Sequence, residues 1–305
     1  MKAKVWVPAL FILLAILAPL TISGYWLRFG TFIFMWIGLA GSLNLLTGYT
    51  GYLDFGHTAF FGVGAYVTGI LMVKTGVSFL PAMAAGALSA AVLAVIVGIP
   101  TMKLKGTYFA IAMLAFAEAM NQIVLEADDL TGGGNGLSLP IYTNYQFFYY
   151  MMLAAVLLIL GVTVWFHHSR FGMALMAIRE AEVAAEMSGV DTFACKLLAF
   201  GISALFAGMI GGIYAYWMTF VYPSDVFNVL MTVRMIIMAF LGGAGTLAGP
   251  VIGATFLATI EEVLWAEFRY TYLILVGAII VTVVLALPRG LMGLFPSRRT
   301  APSKS

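Results

Sequence analysis

Apolar runs of about 20 residues, the length a helix needs to cross a bilayer, recur through nearly all of this 305-residue chain. They cover Val5 to Ser23, Phe29 to Thr47, Phe55 to Val73, Phe79 to Pro100, Thr107 to Leu125, Gln146 to Phe166, Leu197 to Phe220 and Tyr270 to Leu287. A further apolar region, Val229 to Trp265, is interrupted by LGGAGTLAGP. Lipid offers no partner for backbone N–H and C=O groups, so each run must bond to itself as a helix. Hydrophobic residues are 63% of the chain and charged ones 9%, with a mean hydropathy of +1.03; a soluble domain has roughly 45–50% and 25%. The chain reads as an all-α polytopic membrane protein, a single transmembrane domain over 1–305. It should have about eight transmembrane helices plus a broken hairpin, or ten spans.

Orientation follows from basic residues near the span ends. Lys2 and Lys4 place the N-terminus in the cytoplasm, and Lys103, Lys105, Arg170, Arg179 and Lys196 then fall on the same side. The acidic loop from Glu126 to Tyr145 falls outside. Arg289, Arg298, Arg299 and Lys304 want the C-terminus inside as well. That parity requires residues 229–265 to return to the outer face, as a re-entrant hairpin or two short spans. Met1 to Ser23 resembles a signal peptide, but its long apolar run without a clear small-residue cleavage site is expected to remain as the first span. The net charge of +2 gives no argument for nucleic acid, and the single cysteine, Cys195, excludes an internal disulfide and a multi-cysteine metal site.

Against this background Ser169 to Lys196 stands out, with Arg170, Arg179, Glu180, Glu182, Glu186, Asp191 and Lys196 in one stretch. Wound at 3.6 residues per turn, Ala174, Ala177, Ala181, Ala184 and Ser188 form a stripe of small side chains that lets another helix or groove approach. Arg179, Glu182 and Glu186 gather on another face. Gly189 is placed to end the helix and Asp191 to cap the next. Periodicity alone leaves open a solvated connector or a docking element.

Few residues could carry chemistry. Glu118 lies inside a span with Asn121 one turn on, and a central acidic side chain costs about 2.5–3.5 kcal/mol to insert. Arg234 enters the broken region from the outer side at a matching depth, which predicts a Glu118–Arg234 ion pair. Asp54 and His57 begin the third span in the glycine-rich passage Thr47 to Tyr66, where they are expected to cap that helix; without a third ligand they make no metal site. Asn44, Asp54, His57, Glu118, Asn121 and Arg234 are therefore candidates for a translocation pathway or for structural pairing. GGGNG at residues 132–136 lacks the GK[ST] of a phosphate loop, and no GxSxG, HExxH or CxxC motif supports an enzyme.

The segments LNLLTGYTGYLDFGHTAFFGVGAYV, LKGTYFAIAMLAFAEA, LTGGGNGL, KLLAFGISALFAGMIGGIYA after the charged stretch, and FLGGAGTLAGPVIGA together resemble permease subunits of branched-chain amino-acid ABC importers of the LivM type. The resemblance covers nearly the whole chain. It implies an ABC importer permease fold in a bacterial-type inner (plasma) membrane, multi-pass. The implied partners are a second related permease, two cytoplasmic ABC ATPase subunits and an external substrate-binding protein. It also implies that this chain binds no cofactor of its own, ATP being used by the ATPase subunits, in keeping with the lack of a Walker A sequence. Residues 169–189 would be the coupling helix, an EAA-like loop that docks in a groove on the ATPase, with Arg179, Glu182, Ala184, Ala185 and Gly189 as its ATPase-coupling residues. Val183 occupies the usual glutamate position and no Leu-Pro follows, so the motif is atypical. Similar permeases serve urea and short amides, which gives one alternative substrate class; another is an ion-coupled secondary transporter with Glu118 as a proton site.

Overall fold

The computed structural model describes residues 15–19 and 24–268, together with 274 and 277. Apart from these few positions, the expected spans Val5 to Ser23 and Tyr270 to Leu287 lie outside the described residues.

The apolar runs become helices: α1 Tyr25–Thr50, α2 His57–Lys74, α3 Phe79–Thr101, α4 Thr107–Glu126, α5 Tyr145–His168, α6 Arg170–Met187, α7 Thr192–Met218, α8 Val229–Gly242 and α9 Gly249–Glu267. Six described helices are long and apolar enough to cross a membrane: α1, α3, α4, α5, α7 and the composite Pro223–Gly242, which joins a short turn at Pro223–Val226 to α8. Boundaries follow local chemistry. The side chains of Asn144, Ser169, Asp191 and Asn228 accept backbone N–H groups at the starts of α5, α6, α7 and α8, as N-caps should. α6 ends where Gly189 takes a φ of +84°, open to glycine at little cost.

α1 is the central strut, buried almost continuously from Phe34 to Thr50. α7 packs against α1, α2 and α3, and α8 and α9 pair with each other beside α1. The α2–α7 contact is backbone on backbone: a Cβ added to Gly64 would stand 2.1 Å from the Gly208 carbonyl oxygen. Small residues give this close approach in membranes, where helix association relies on packing rather than on a hydrophobic drive. The loop after α4 carries a feature with no sequence period, Leu137–Ser138 paired antiparallel with Phe220–Val221 just past α7.

Gly64→Leu is expected to lower the unfolding temperature of the purified protein sharply, since the obstruction is backbone and overpacking costs about 1–3 kcal/mol or more. Gly161→Ala, whose new Cβ meets nothing within 4 Å, should change stability by no more than about 1 kcal/mol. Equal effects in thermal unfolding would contradict the packing account.

Candidate functional site

A network of charged and polar side chains lies at one end of α1, where α6 meets the helix bundle. Lys196, near the start of α7, is 3% exposed, so its ammonium needs several acceptors. It finds Glu182 Oε1 at 2.5 Å, the Tyr52 hydroxyl at 3.0 Å and the Met102 carbonyl at the end of α3 at 3.2 Å. The Tyr52 ring also faces this ammonium, 4.5 Å from its centroid. Tyr52 in turn donates to Glu182 Oε2 at 2.7 Å. Burial alone would raise the Glu182 carboxyl. The hydrogen bonds from Lys196 and Tyr52 and the charges of Lys196 and Lys105 outweigh it and hold the group below its usual value near 4.5. Burial first, then Glu182, raises the Tyr52 phenol.

Arg179 makes the second attachment of α6. Its Nη1 donates to the Gly48 carbonyl in the last turn of α1 at 2.6 Å and stands 3.5 Å from the Ala244 carbonyl in the turn between α8 and α9. Carbonyls in a final helical turn lack intrahelical partners, and a cation there also suits the helix dipole. Asn44, one turn earlier, holds the same α8–α9 turn: its Oδ1 accepts the Gly245 N–H at 2.8 Å and its Nδ2 donates to the Thr246 carbonyl at 3.2 Å. The fit requires glycine on both sides. A Cβ on Gly48 would stand 2.6 Å from the Gly245 nitrogen, and Gly245 adopts a φ of +77°.

Arg179, Glu182 and Glu186 make no ion pair with one another among the described residues, and each serves a different partner. Arg179 reaches Gly48, Glu182 reaches Lys196 and Tyr52, and Glu186 accepts from Thr192 at 2.7 Å. The single small stripe is also corrected: Ala181, at φ −159° and ψ 97°, leaves the helical region and kinks α6, so Ala174 and Ala177 do not continue straight into Ala184 and Ser188. Ala184 and Gly189 are exposed, but Ala185 is buried against the protein's own core and so offers no outer surface. Met173 and Met176 before the kink, and Val183 and Met187 after it, are the exposed large apolar side chains of α6.

The expected Glu118–Arg234 pair does not form. Glu118 is exposed and accepts a hydrogen bond from Gln122 at 3.0 Å on its own helix, while Arg234 Nε lies 3.8 Å from Glu261 Oε1 on α9. Matched depth placed the two residues at one level but said nothing about which way each helix turns. Asn121 Oδ1 is buried without a hydrogen-bond partner among the described residues. Asp54 and His57 are both buried, but the expected capping of α2 is corrected: its N-cap is Gly56, with no side-chain cap bond. Asp54 Oδ1 accepts the Gly56 N–H at 2.9 Å, its Oδ2 lies 3.1 Å from His57 Nδ1, and His57 Nε2 is 2.9 Å from the Ser42 hydroxyl on α1. Ser203 on α7 donates to the Ser42 carbonyl at 2.6 Å, so this chain of bonds joins α1, α2 and α7.

A family model described as branched-chain amino acid transport system, permease component, matches residues 25–284. The chain belongs to that family. The permease is 28% identical to the high-affinity branched-chain amino acid transport system permease protein LivM of Escherichia coli K12, over 95% of this chain and 75% of the relative. It is 25% identical to a probable LivM of Methanocaldococcus jannaschii, over 78% of this chain and 81% of the other. A shorter similarity, 28% identity over 41% of this chain and 39% of the other, is to the autoinducer 2 import system permease protein LsrC of Yersinia pseudotuberculosis. No solved structure matches the permease significantly. The segments that match include α1 with Asn44 and Gly48, α6, and the α8–α9 turn, so the joint just described lies within the family region.

The Glu182 attachment carries a pH signature. A lowered folded value means that its stabilisation is present above the unfolded value and is lost as pH falls through the folded one. Glu182→Gln is expected to lower the unfolding temperature by a few degrees at pH 7, and the gap to the parent should narrow as pH falls below the ordinary carboxyl value near 4.5. Differential scanning fluorimetry across pH checks this; a gap that stays constant down to pH 3 would contradict the charge-paired state.

Proposed function

We propose that this permease is the membrane-spanning subunit of an ATP-driven ABC importer that carries branched-chain amino acids, leucine, isoleucine and valine, into the cytoplasm. The observation that carries the reading is the family match over residues 25–284. The relatives' own descriptions name branched-chain amino acid transport in two cases, and no observation favours urea or short amides. Glu118, hydrogen-bonded to Gln122 on an exposed face, gives no support to a proton-driven carrier.

In this reading α6 lies on the cytoplasmic face and is the docking element for an ATPase subunit. Two observations support it. Its outer surface exposes Met173, Met176, Val183 and Met187, apolar side chains that a partner groove would cover. Its inner surface is fastened to four parts of the bundle: to α1 and the α8–α9 turn by Arg179, and to α7 and the α1–α2 loop by Glu182. A displacement of α6 as the ATPases close on ATP and separate after hydrolysis would therefore pull on several helices at once. Residues 229–265 are best read as two short spans rather than a shallow re-entrant loop. Their turn meets Arg179 near the end of α1, while Glu262 meets Tyr25 at its start. The assembly would include a second related permease, two ATPases and an external binding protein, in a bacterial-type inner membrane.

The test is uptake of labelled leucine into proteoliposomes holding the permease with its partner permease and ATPases, with the binding protein outside and ATP inside. Uptake should require ATP and persist in the presence of a protonophore. Uptake without ATP that collapses with the proton gradient would sink the importer reading in favour of an ion-coupled carrier.

A further inference from the structure

At the far end of α1 from Arg179, a cavity of about 520 Å³ opens between the start of α1, residues 141–145, the end of α7 and Glu262 on α9. That volume lies within the range of small-molecule sites, about 300–1,000 Å³. The wall has one basic group, Arg28, and one acidic group, Glu262; much of the rest is aromatic, including Phe29, Phe32, Tyr214 and Trp217.

The two charges do not neutralise each other. Among the described residues Arg28 makes no ion pair, and its guanidinium lies over the Tyr145 ring, 4.6 Å from the centroid. Glu262 Oε1 accepts a hydrogen bond from the Tyr25 hydroxyl at 2.5 Å. Among the described residues its Oε2 has no hydrogen-bond partner. Tyr25 and Arg28 are three residues apart on α1, so they neighbour each other on one helix surface. The cavity thus presents a guanidinium and a carboxylate that form no ion pair with each other, beside an apolar wall.

We propose that this cavity is the outer receiving site for the transported amino acid: Arg28 pairs with its α-carboxylate, Glu262 with its α-ammonium, and the branched aliphatic side chain lies against the aromatic wall. The proposal rests on the importer reading and adds to it the place and chemistry of recognition. A zwitterion needs both signs of charge at once, and this wall offers one of each. A urea or a short amide is uncharged and would leave Arg28 and Glu262 without counter-charges; a pure cation would meet Arg28, and a pure anion Glu262, as a like charge. Guanidinium matches a carboxylate bidentately, and an aliphatic side chain gains from leaving water for an aromatic surface. The cavity sits at the end of the bundle opposite α6, the side from which an external binding protein would deliver.

The test uses a diazirine analogue of leucine on the complete assembly in nanodiscs, with the labelled residues located by mass spectrometry. The parent should be labelled on the cavity wall, with excess leucine or isoleucine suppressing the label and with urea, 4-methylpentanoate and isopentylamine suppressing it far less. Arg28→Gln and Glu262→Gln should each reduce labelling about tenfold or more, as expected on removing a charged partner. Arg28→Lys should keep a good part of it, and Tyr25→Phe, which leaves both charges in place, should keep most of it. Unfolding temperatures of the variants separate lost binding from lost folding, and the competitor series on the parent tests the site without any substitution. Labelling that falls elsewhere, or equal suppression by leucine and by the two single-charge analogues, overturns the proposal. Leucine uptake by the parent that is matched by both charge-removing variants overturns the site but leaves the importer reading standing; a parent that takes up no branched-chain amino acid overturns both.

Discussion

The hydrogen bond from Arg179 to the Gly48 carbonyl is the point where separate parts of the described structure are joined. A charge-assisted bond of this kind contributes about 1.5–3 kcal/mol, but its position matters more than its strength. It satisfies a backbone acceptor at the end of α1 that has no partner within its own helix. It also brings α6 against the turn between α8 and α9, which Asn44 holds from below through both ends of its amide. Three elements far apart in sequence meet at one guanidinium. Both contacts come from one nitrogen, Nη1, at 2.6 Å from the Gly48 carbonyl and 3.5 Å from that of Ala244.

α1 connects this joint to the rest of the molecule. Its 26 residues span about 39 Å at 1.5 Å per residue, with Arg179 at one end and the Arg28–Glu262 cavity at the other. α9 runs beside it and takes part in both places, following directly on the turn that Asn44 holds and carrying Glu262 to the cavity. Backbone-to-backbone approaches such as Gly48 on Gly245 and Gly253 on the Met238 carbonyl join α1, α8 and α9 with little slack. A shift imposed on α6 therefore has a physical route to the cavity: through Arg179 to α1 and the α8–α9 turn, and through their helices to the cavity wall. The buried chain of Asp54, His57, Ser42 and Ser203 adds a cross-brace between α1, α2 and α7.

Much of this was legible in the sequence because membrane helices are governed by local rules. Apolar runs set where the helices are, and Ser169 and Asp191 cap α6 and α7 through bonds that reach only three residues ahead. The Gly242 to Gly249 break was visible because glycine and proline act locally. What the sequence did not reveal is direction around a helix axis. Glu118 and Arg234 could be matched in depth, yet they face different neighbours, Gln122 and Glu261. The run of alanines in α6 read as one straight stripe, and only the backbone at Ala181 shows that it bends. The bonds from Lys196 to Tyr52 and from Arg179 to Gly48 cross more than 130 residues of sequence, and no spacing rule links such positions. The two-residue strand pair Leu137–Ser138 and Phe220–Val221 is too short to show a period. Arg28 and Glu262 stand 234 positions apart in the chain, and only the fold places them on one wall.

The proposed role of Arg179 is to pass the motion of α6 to the rest of the bundle. It is tested most directly by measuring ATP hydrolysed and leucine imported by the same proteoliposomes, for the parent and for Arg179→Gln. With the joint cut and the proposed docking surface of α6 left in place, hydrolysis should continue while leucine uptake falls about tenfold or more, so that the number of ATP molecules used per leucine rises. Uptake and hydrolysis that remain at parental levels, or that fall in the same proportion, would contradict the account.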